Sequence, residues 1–276
     1  MKKRRIVQYV SLLLLHGSWG PELKWFCNPV LSCHSCFLSW FACPVGVFVH
    51  FSGYHILPFI PVGTVLLAGV FVGRLLCGWV CPFGLLQDLL HKIPSAKFSL
   101  PDWSAHTKYI LLFLTVILTP YLWGENTLYS FCRLCPAGTL QASVPTMIAE
   151  GFSRFQTGTL VRWLVLAAIL AFAVVSARSF CRALCPIAAI LAPLNYVSVW
   201  IVKPPEEECV NCRNCDKACS MEIRPSIRIN KKIPVNRHPE CIVCHECRSA
   251  CTLAHGKPSA AFGEPRAAGA HIEPHA

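Results

Sequence analysis

Eighteen cysteines in a chain of 276 residues, most of them in short repeated spacings, are the residues whose chemistry is legible first. The last eight form two consecutive C-x2-C-x2-C-x3-C runs: Cys209, Cys212, Cys215, Cys219, then Cys241, Cys244, Cys247, Cys251. Thiolates at such spacing converge on a soft metal centre, and this run is one that iron–sulfur clusters use. In two-cluster arrangements the fourth cysteine of each run ligates the other cluster. That predicts Cys209, Cys212, Cys215 and Cys251 on one [4Fe-4S] centre, and Cys241, Cys244, Cys247 and Cys219 on the other. Ser220 and Thr252 replace the proline usual after each fourth cysteine, which alters local packing without removing a ligand. A disulfide framework suits short secreted domains rather than a long apolar chain. A structural zinc site does not account for two identical runs of this spacing.

Ten further cysteines lie in the apolar first two-thirds, and four of them, Cys43, Cys81, Cys135 and Cys185, precede a proline. Arg74-Leu75-Leu76-Cys77-Gly78-Trp79-Val80-Cys81-Pro82 matches Arg178-Ser179-Phe180-Cys181-Arg182-Ala183-Leu184-Cys185-Pro186. Likewise Cys43-Pro44-Val45-Gly46 resembles Cys135-Pro136-Ala137-Gly138. The duplication predicts two halves packed about a pseudo-two-fold axis normal to a membrane. Cys77, Cys81, Cys181 and Cys185 then supply two thiolates from each half to one inner-face cluster. Positions i and i+4 share a helix face, and the proline after the second cysteine lacks an N–H and breaks the segment there. An outer-face cluster draws on Cys132 and Cys135, with Cys43 and either Cys36 or Cys33 from the first half. Alternatively Cys27, Cys33, Cys36 and Cys43 form a site of their own. Arg74 and Arg178 stand three residues before each inner pair, where they either stabilise a negative cluster site or snorkel from a helix end to water.

The elements that carry these residues follow from hydropathy. With 54% hydrophobic and 14% charged residues, the chain reads as a membrane protein with a soluble appendage. Its net charge of +11 sets orientation rather than binding nucleic acid, because the basic residues do not gather with aromatics into a stripe. Four apolar segments, Ile6–Trp19, Pro58–Leu76, Tyr109–Trp123 and Leu160–Ala177, approach the roughly 17–25 residues of a spanning helix. Gly17 to Pro21 is a poor cleavage site, so the first segment is expected to remain as a helix. Phe37–Phe51 reads as interfacial or re-entrant. Lys2, Lys3, Arg4 and Arg5, with Lys92, Lys97 and Lys108, outweigh the single Lys24 of residues 20–57 and predict cytoplasmic termini. The expected fold is an all-α membrane protein, four transmembrane helices as a duplicated hairpin over residues 1–200. A C-terminal α+β dicluster ferredoxin domain follows at 201–255, and then a loose tail at 256–276. His34, His50 and His55 are candidates to ligate haem or copper or to take a quinol proton, or are ordinary interfacial side chains.

The pattern Gly73-Arg74-x2-Cys77-Gly78-Trp79-Val80-Cys81-Pro82, its second copy ending Cys181–Pro186, and the paired terminal runs resemble the NapH family. Those are polytopic 4Fe-4S subunits of quinol dehydrogenases that serve periplasmic nitrate reductase. The membrane parts of NosR-type and CcoG-type proteins are similar. The resemblance, over about residues 60–252, implies four helices in the inner (cytoplasmic) membrane with both termini cytoplasmic. It also implies electron traffic between quinol or quinone and redox partners such as an iron–sulfur protein, cytochrome c or reductase. Cys27 to Cys43 and Cys132/Cys135 depart from the NapH pattern. The expected function is membrane-bound iron–sulfur electron transfer, with one or two clusters in the membrane part. The rivals are a copper or other metal reductase of the CcoG type, and a redox-sensing assembly or regulatory protein.

Overall fold

The structure, a computed structural model, describes residues 2–16, 23–33, 39–150, 157–205 and 208–251. The Gly17–Pro21 segment, His34, Cys36 and the tail at 256–276 lie outside the described residues. The chain is mostly helical. Helix α1 (Lys2–His16) starts inside the basic run rather than after it. A short parallel pair, β1 (Leu23–Cys27) and β2 (Phe41–Ala42), precedes α2 (Pro44–Gly53) and the apolar α3 (Phe59–Val72). Then come α4 (Leu75–Trp79) and α5 (Pro82–Leu90). Helix α6 (Asp102–Trp123) opens with a 3-10 turn and contains a π segment at Leu112–Leu118. After α7 (Phe131–Leu134), α8 (136–150) holds a second π segment at Thr139–Ser143. Helix α9 (Thr157–Val175), α10 (Ser179–Ala183) and α11 (Pro186–Leu194) complete the part that precedes the C-terminal module.

The order α2–α3–α4–α5 recurs as α8–α9–α10–α11, and the packing is reciprocal. Helix α3 of the first copy lies against α11 of the second, while α9 of the second lies against α5 of the first. Helix α1 packs on α5 as α6 packs on α11. The four expected spans differ in length. Among the described residues two helical stretches are long and apolar enough to cross a membrane, Asp102–Trp123 and Gly158–Val175. Helix α3 has 14 residues and α1 has 15. Helix α3 stops early because Gly73 takes a left-handed turn, φ +58°, beside Asn195, where a Cβ would collide with the Asn195 side chain.

Helix α1 is amphipathic in the inverted sense. Its inward face is polar, with Arg4, Gln8 and Ser11 buried at i, i+4 and i+7, while Ile6, Val10, Leu13 and Leu14 are exposed. Gln8 donates to the Gly78 carbonyl at 3.1 Å and Ser11 to the Val80 carbonyl at 2.8 Å. Helix α9 is just as unusual for water, since only 11% of its apolar 18-residue window is buried.

The C-terminal module contains α12 (Asn214–Lys217), α13 (Pro225–Asn230) and α14 (Glu246–Ser249). No strand occurs among its described residues, in contrast to the expected α+β module. The cysteine runs explain the difference. Asn211 and Arg213 flank Cys212, and Val243 and His245 flank Cys244, all four at positive φ, so the chain cannot stay extended there. The module is not a detached appendage either. Ile242 and Met221 belong to the same buried core as Cys77, Cys81 and Cys185.

Candidate metal centres

All four Cys-Pro pairs adopt one local structure. Cys43, Cys81, Cys135 and Cys185 are extended N-cap residues, and the following prolines open α2, α5, α8 and α11. Proline therefore starts a helix at each site rather than ending one. Free N–H groups at each helix start point back at the sulfur. Cys43 accepts from Val45 and Gly46, Cys81 from Gly84, Cys135 from Ala137 and Gly138, and Cys185 from Ala188. A small residue stands three positions after every one of these cysteines, which is a sequence signal for the motif.

The structure brings Cys77, Cys81, Cys181 and Cys185 together. Burial first, and then the charge of Cys181 and Cys77, pushes the Cys81 thiol up to about 12. Burial, followed by Cys181, Cys77 and Cys81, does the same for Cys185. The two arginines are shared reciprocally between the copies. Arg74 reaches the Cys181 carbonyl at 3.4 Å, and Arg178 reaches the Cys77 carbonyl at 3.1 Å. Neither snorkels: Arg74 is 0% and Arg178 1% exposed. Arg178 is clamped by Asp88 through two bonds of 2.7 Å, and Arg74 donates to Glu240 at 2.8 Å. Asp88 also pairs with Arg4, and Glu240 with Lys108. Burial alone would raise both carboxyls, but the cations beside Asp88 and Glu240 hold them below the usual carboxylate range. Gln87 adds an asymmetry. It donates to the Cys181 sulfur at 3.1 Å and accepts from the Phe180 N–H, while Leu191 occupies the matching place in the second copy. Sequence reasoning missed Gln87, Asp88 and Glu240, whose partners across the fold lie 84 to 166 residues away.

At the opposite end, Cys33, Cys43, Cys132 and Cys135 line one cavity of ≈ 460 Å³. After burial, the charges of Cys135, Cys43 and Cys33 raise Cys132. Gln141, in the π segment of α8, fixes Cys33 by accepting its backbone N–H at 2.6 Å. Cys27 stands apart, and burial alone pushes it up to about 11. His50 and Glu125 share the cavity wall, 2.5 Å apart from Nδ1 to Oε2. His55 instead packs its ring on Tyr121.

In the module the fourth cysteines sit crosswise. Cys215 lies in the field of Cys209, Cys251 and Cys212, and Cys247 in that of Cys244, Cys241 and Cys219. Cys219, Cys241, Cys244 and Cys247 also line one small cavity. Neighbouring sets lie within electrostatic reach of one another. Cys247 feels Cys215, Arg178 feels both Cys181 and Cys244, and Arg74 acts on both Cys241 and Cys181. The adjacent residues Leu31 and Ser32 give their N–H groups to Cys81 and Cys43 respectively. The four sets thus form one series through a single molecule.

The donor chemistry suits iron–sulfur clusters. The buried Nε of Arg74 has no acceptor, and the left-handed turns of the module make N–H concavities of the kind that bind anionic groups. Residues 54–101, 106–144 and 159–205 match the model of a 4Fe-4S binding domain. They contain Cys77 and Cys81, Cys132 and Cys135, and Cys181 and Cys185.

The chain is 28% identical over 184 residues to an uncharacterized protein of Methanocaldococcus jannaschii, covering 61% of this chain and 68% of that one. It is 30% identical over 162 residues to the regulatory protein NosR of Pseudomonas aeruginosa, covering 55% and 21%. It is 26% identical over 177 residues to the methylamine utilization ferredoxin-type protein MauN of Methylobacillus flagellatus, covering 61% and 57%. The matches thus span only part of the last two proteins. No solved structure matches. The chain carries a 4Fe-4S ferredoxin-type domain and is distantly homologous to NosR and MauN; the NapH type is not singled out.

Proposed function

We propose that this chain is a membrane-bound iron–sulfur electron-transfer subunit that passes electrons between the quinol pool and redox partner proteins. The observation that carries this reading is the contiguity of the four cysteine sets, from the exposed Cys212 of the module to the cavity beside His50. When bound, iron–sulfur centres supply one-electron transfer. The chain's own residues bury all four cysteines of the inner set, give N–H bonds to the sulfurs and place Arg74 and Arg178 between the inner set and the module. At the outer end His50 Nδ1 lies 2.5 Å from Glu125 Oε2; in the tautomer of a neutral His50 that donates Nδ1–H to an ionised Glu125, Nε2 is the acceptor. A quinol hydroxyl in that cavity would donate to Nε2.

A membrane setting is supported by the inverted amphipathicity of α1 and the exposed apolar length of α9. Trp25, Tyr54, Tyr121, Trp123 and Tyr129 are exposed toward the His50 end, and Trp103 and Tyr196 toward the module, as two interfacial belts would require. On this reading α1, α3, α6 and α9 are the spans and both termini are cytoplasmic. A metal reductase would need accessible surplus thiols, whereas Cys27 is buried and Cys33 faces the outer set. Isolated sensing sites would not need a contiguous series.

The test is anaerobic purification with iron and acid-labile sulfide analysis, followed by electron paramagnetic resonance after mixing with duroquinol. About sixteen irons are expected, from four cysteines per cubane. About eight would remove the membrane sites, and zinc in place of iron would overturn the whole reading. A protein that duroquinol leaves oxidised would lose the quinol link.

A further inference from the structure

A second large cavity, of ≈ 560 Å³ and lined by no cysteine, lies where the module meets the start of α6. His106 and Tyr109 of α6 form one wall, and Arg224, Arg228 and Lys231, on and beside α13, form the other. Arg224 caps the start of α13, Arg228 lies within it and Lys231 follows its end, and all three line the cavity. None of the three makes an ion pair among the described residues. The acids nearby are already engaged: Arg182 holds Asp102 and Glu222, and Glu240 is held by Arg74 and Lys108. The lining holds four cations, Arg182, Arg224, Arg228 and Lys231, against three acids, Asp102, Glu222 and Glu240, so the cavity is net positive. It is also partly apolar, through Ile227 and Ile233. From its α6 edge an exposed apolar strip, Ile110, Phe113 and Ile117, continues along the helix at i, i+3 and i+7, with exposed Trp103 at the helix start.

A basic cleft that opens onto an apolar helix face at a membrane surface matches one kind of ligand. We propose that this cavity holds the phosphate-bearing head group of an anionic phospholipid, whose acyl chains lie along the exposed face of α6. A free phosphate or nucleotide has no use for the apolar strip, and a zwitterionic lipid gains less from three unpaired cations. The proposal rests on the membrane placement of α6 given above. Its role is to fasten the module to the bilayer surface, with Arg224, Arg228 and Lys231 on the head group.

The test uses the intact, cluster-loaded protein in nanodiscs of phosphatidylcholine alone or mixed with phosphatidylglycerol, read by native mass spectrometry for co-retained lipid. One phosphatidylglycerol per chain is expected to survive where phosphatidylcholine is lost. The triple change Arg224→Gln, Arg228→Gln, Lys231→Gln should weaken retention about a hundredfold, at about a factor of five per surface cation, with iron content unchanged. Millimolar inorganic phosphate should not displace the lipid, and displacement would reassign the cleft to free phosphate. If the protein enters nanodiscs but shows no preference for phosphatidylglycerol, this inference fails and the membrane reading stands. If it enters neither kind of nanodisc, the membrane reading fails and takes this inference with it. The wild-type comparison does not depend on how the variant folds.

Discussion

At the scale of single residues, the pairing of buried cations with buried carboxylates decides more than the cysteines' own positions. Arg178 is fully buried and depends on Asp88, which also binds Arg4. Replacing Asp88 with alanine leaves the buried Arg178 guanidinium without a carboxylate, while Arg4 keeps Glu246 at 3.1 Å; the expected loss is about 3–5 kcal/mol, measured by denaturant unfolding in detergent. The sign with pH follows from the depressed carboxyl. Folded Asp88 titrates below its unfolded value, so its stabilising contribution is complete above the ordinary carboxylate range. That contribution disappears as pH falls through the folded value, below about 4. Asp88→Asn should flatten this acid limb of the stability curve, and an unchanged limb would show that Asp88 is not the group responsible. Gln87 carries a separate expectation. Its bond to the Cys181 sulfur stabilises negative charge there, so Gln87→Leu should lower the potential of the inner centre by roughly 20–60 mV. Redox titration followed by electron paramagnetic resonance measures it, and a shift confined to the module's signals would place Gln87 elsewhere. Both residues were invisible in the chain because a lone Gln or Asp on a short helix has no local signature. The cysteines were legible because ligand spacing is local, and Arg74 and Arg178 because the repeat displays them twice.

At the scale of elements, the duplicated order of helices and the Cys-Pro motifs were legible, and the lengths of the spans were not. Helix α3 is shorter than the apolar run that announced it, since hydropathy does not register a left-handed glycine stop such as Gly73. Hydropathy also misses that Arg4, Gln8 and Ser11 form the packed face of α1. The contact between α4 and the module was likewise hidden. It depends on Gly78, where an added Cβ would run into the Ile242 carbonyl, and on Trp79, whose Nε1 donates to the Val243 carbonyl at 2.9 Å. The obstacle is backbone rather than a flexible side-chain end, so Gly78→Ala must displace the 241–244 segment. The expected result is a module that still binds its iron but is cut free by limited proteolysis near residues 203–208 much faster than in the wild type. Equal cleavage rates would mean that the docking does not depend on this close approach.

At the scale of the whole molecule, charge and apolar surface should fix how the chain lies in a bilayer. The basic run at Lys2–Arg5 and the cations of the module lie at one end, while the end of α6 and the loop after it, at the other end, expose Trp123 and Tyr129. Cytoplasmic cations and interfacial aromatics give the same orientation. Four spans would return the chain to its starting side, whereas two spans, α6 and α9 alone, would return it as well. The C-terminus therefore cannot distinguish these cases, but the loop between α1 and α2 can. With four spans that loop lies outside together with the loop after α6. With α1 and α3 merely resting on the inner surface, it stays in the cytoplasm. An alkaline phosphatase reporter fused after Asn28 should be active if α1 crosses, as should one fused after Asn126. A fluorescent protein fused at the C-terminus should fluoresce from the cytoplasm in both cases. Activity at Asn126 with silence at Asn28 would leave two spans. It would also bring Cys33 and Cys43 to their set from the cytoplasmic side, which the shared cavity with Cys132 and Cys135 makes the less economical arrangement.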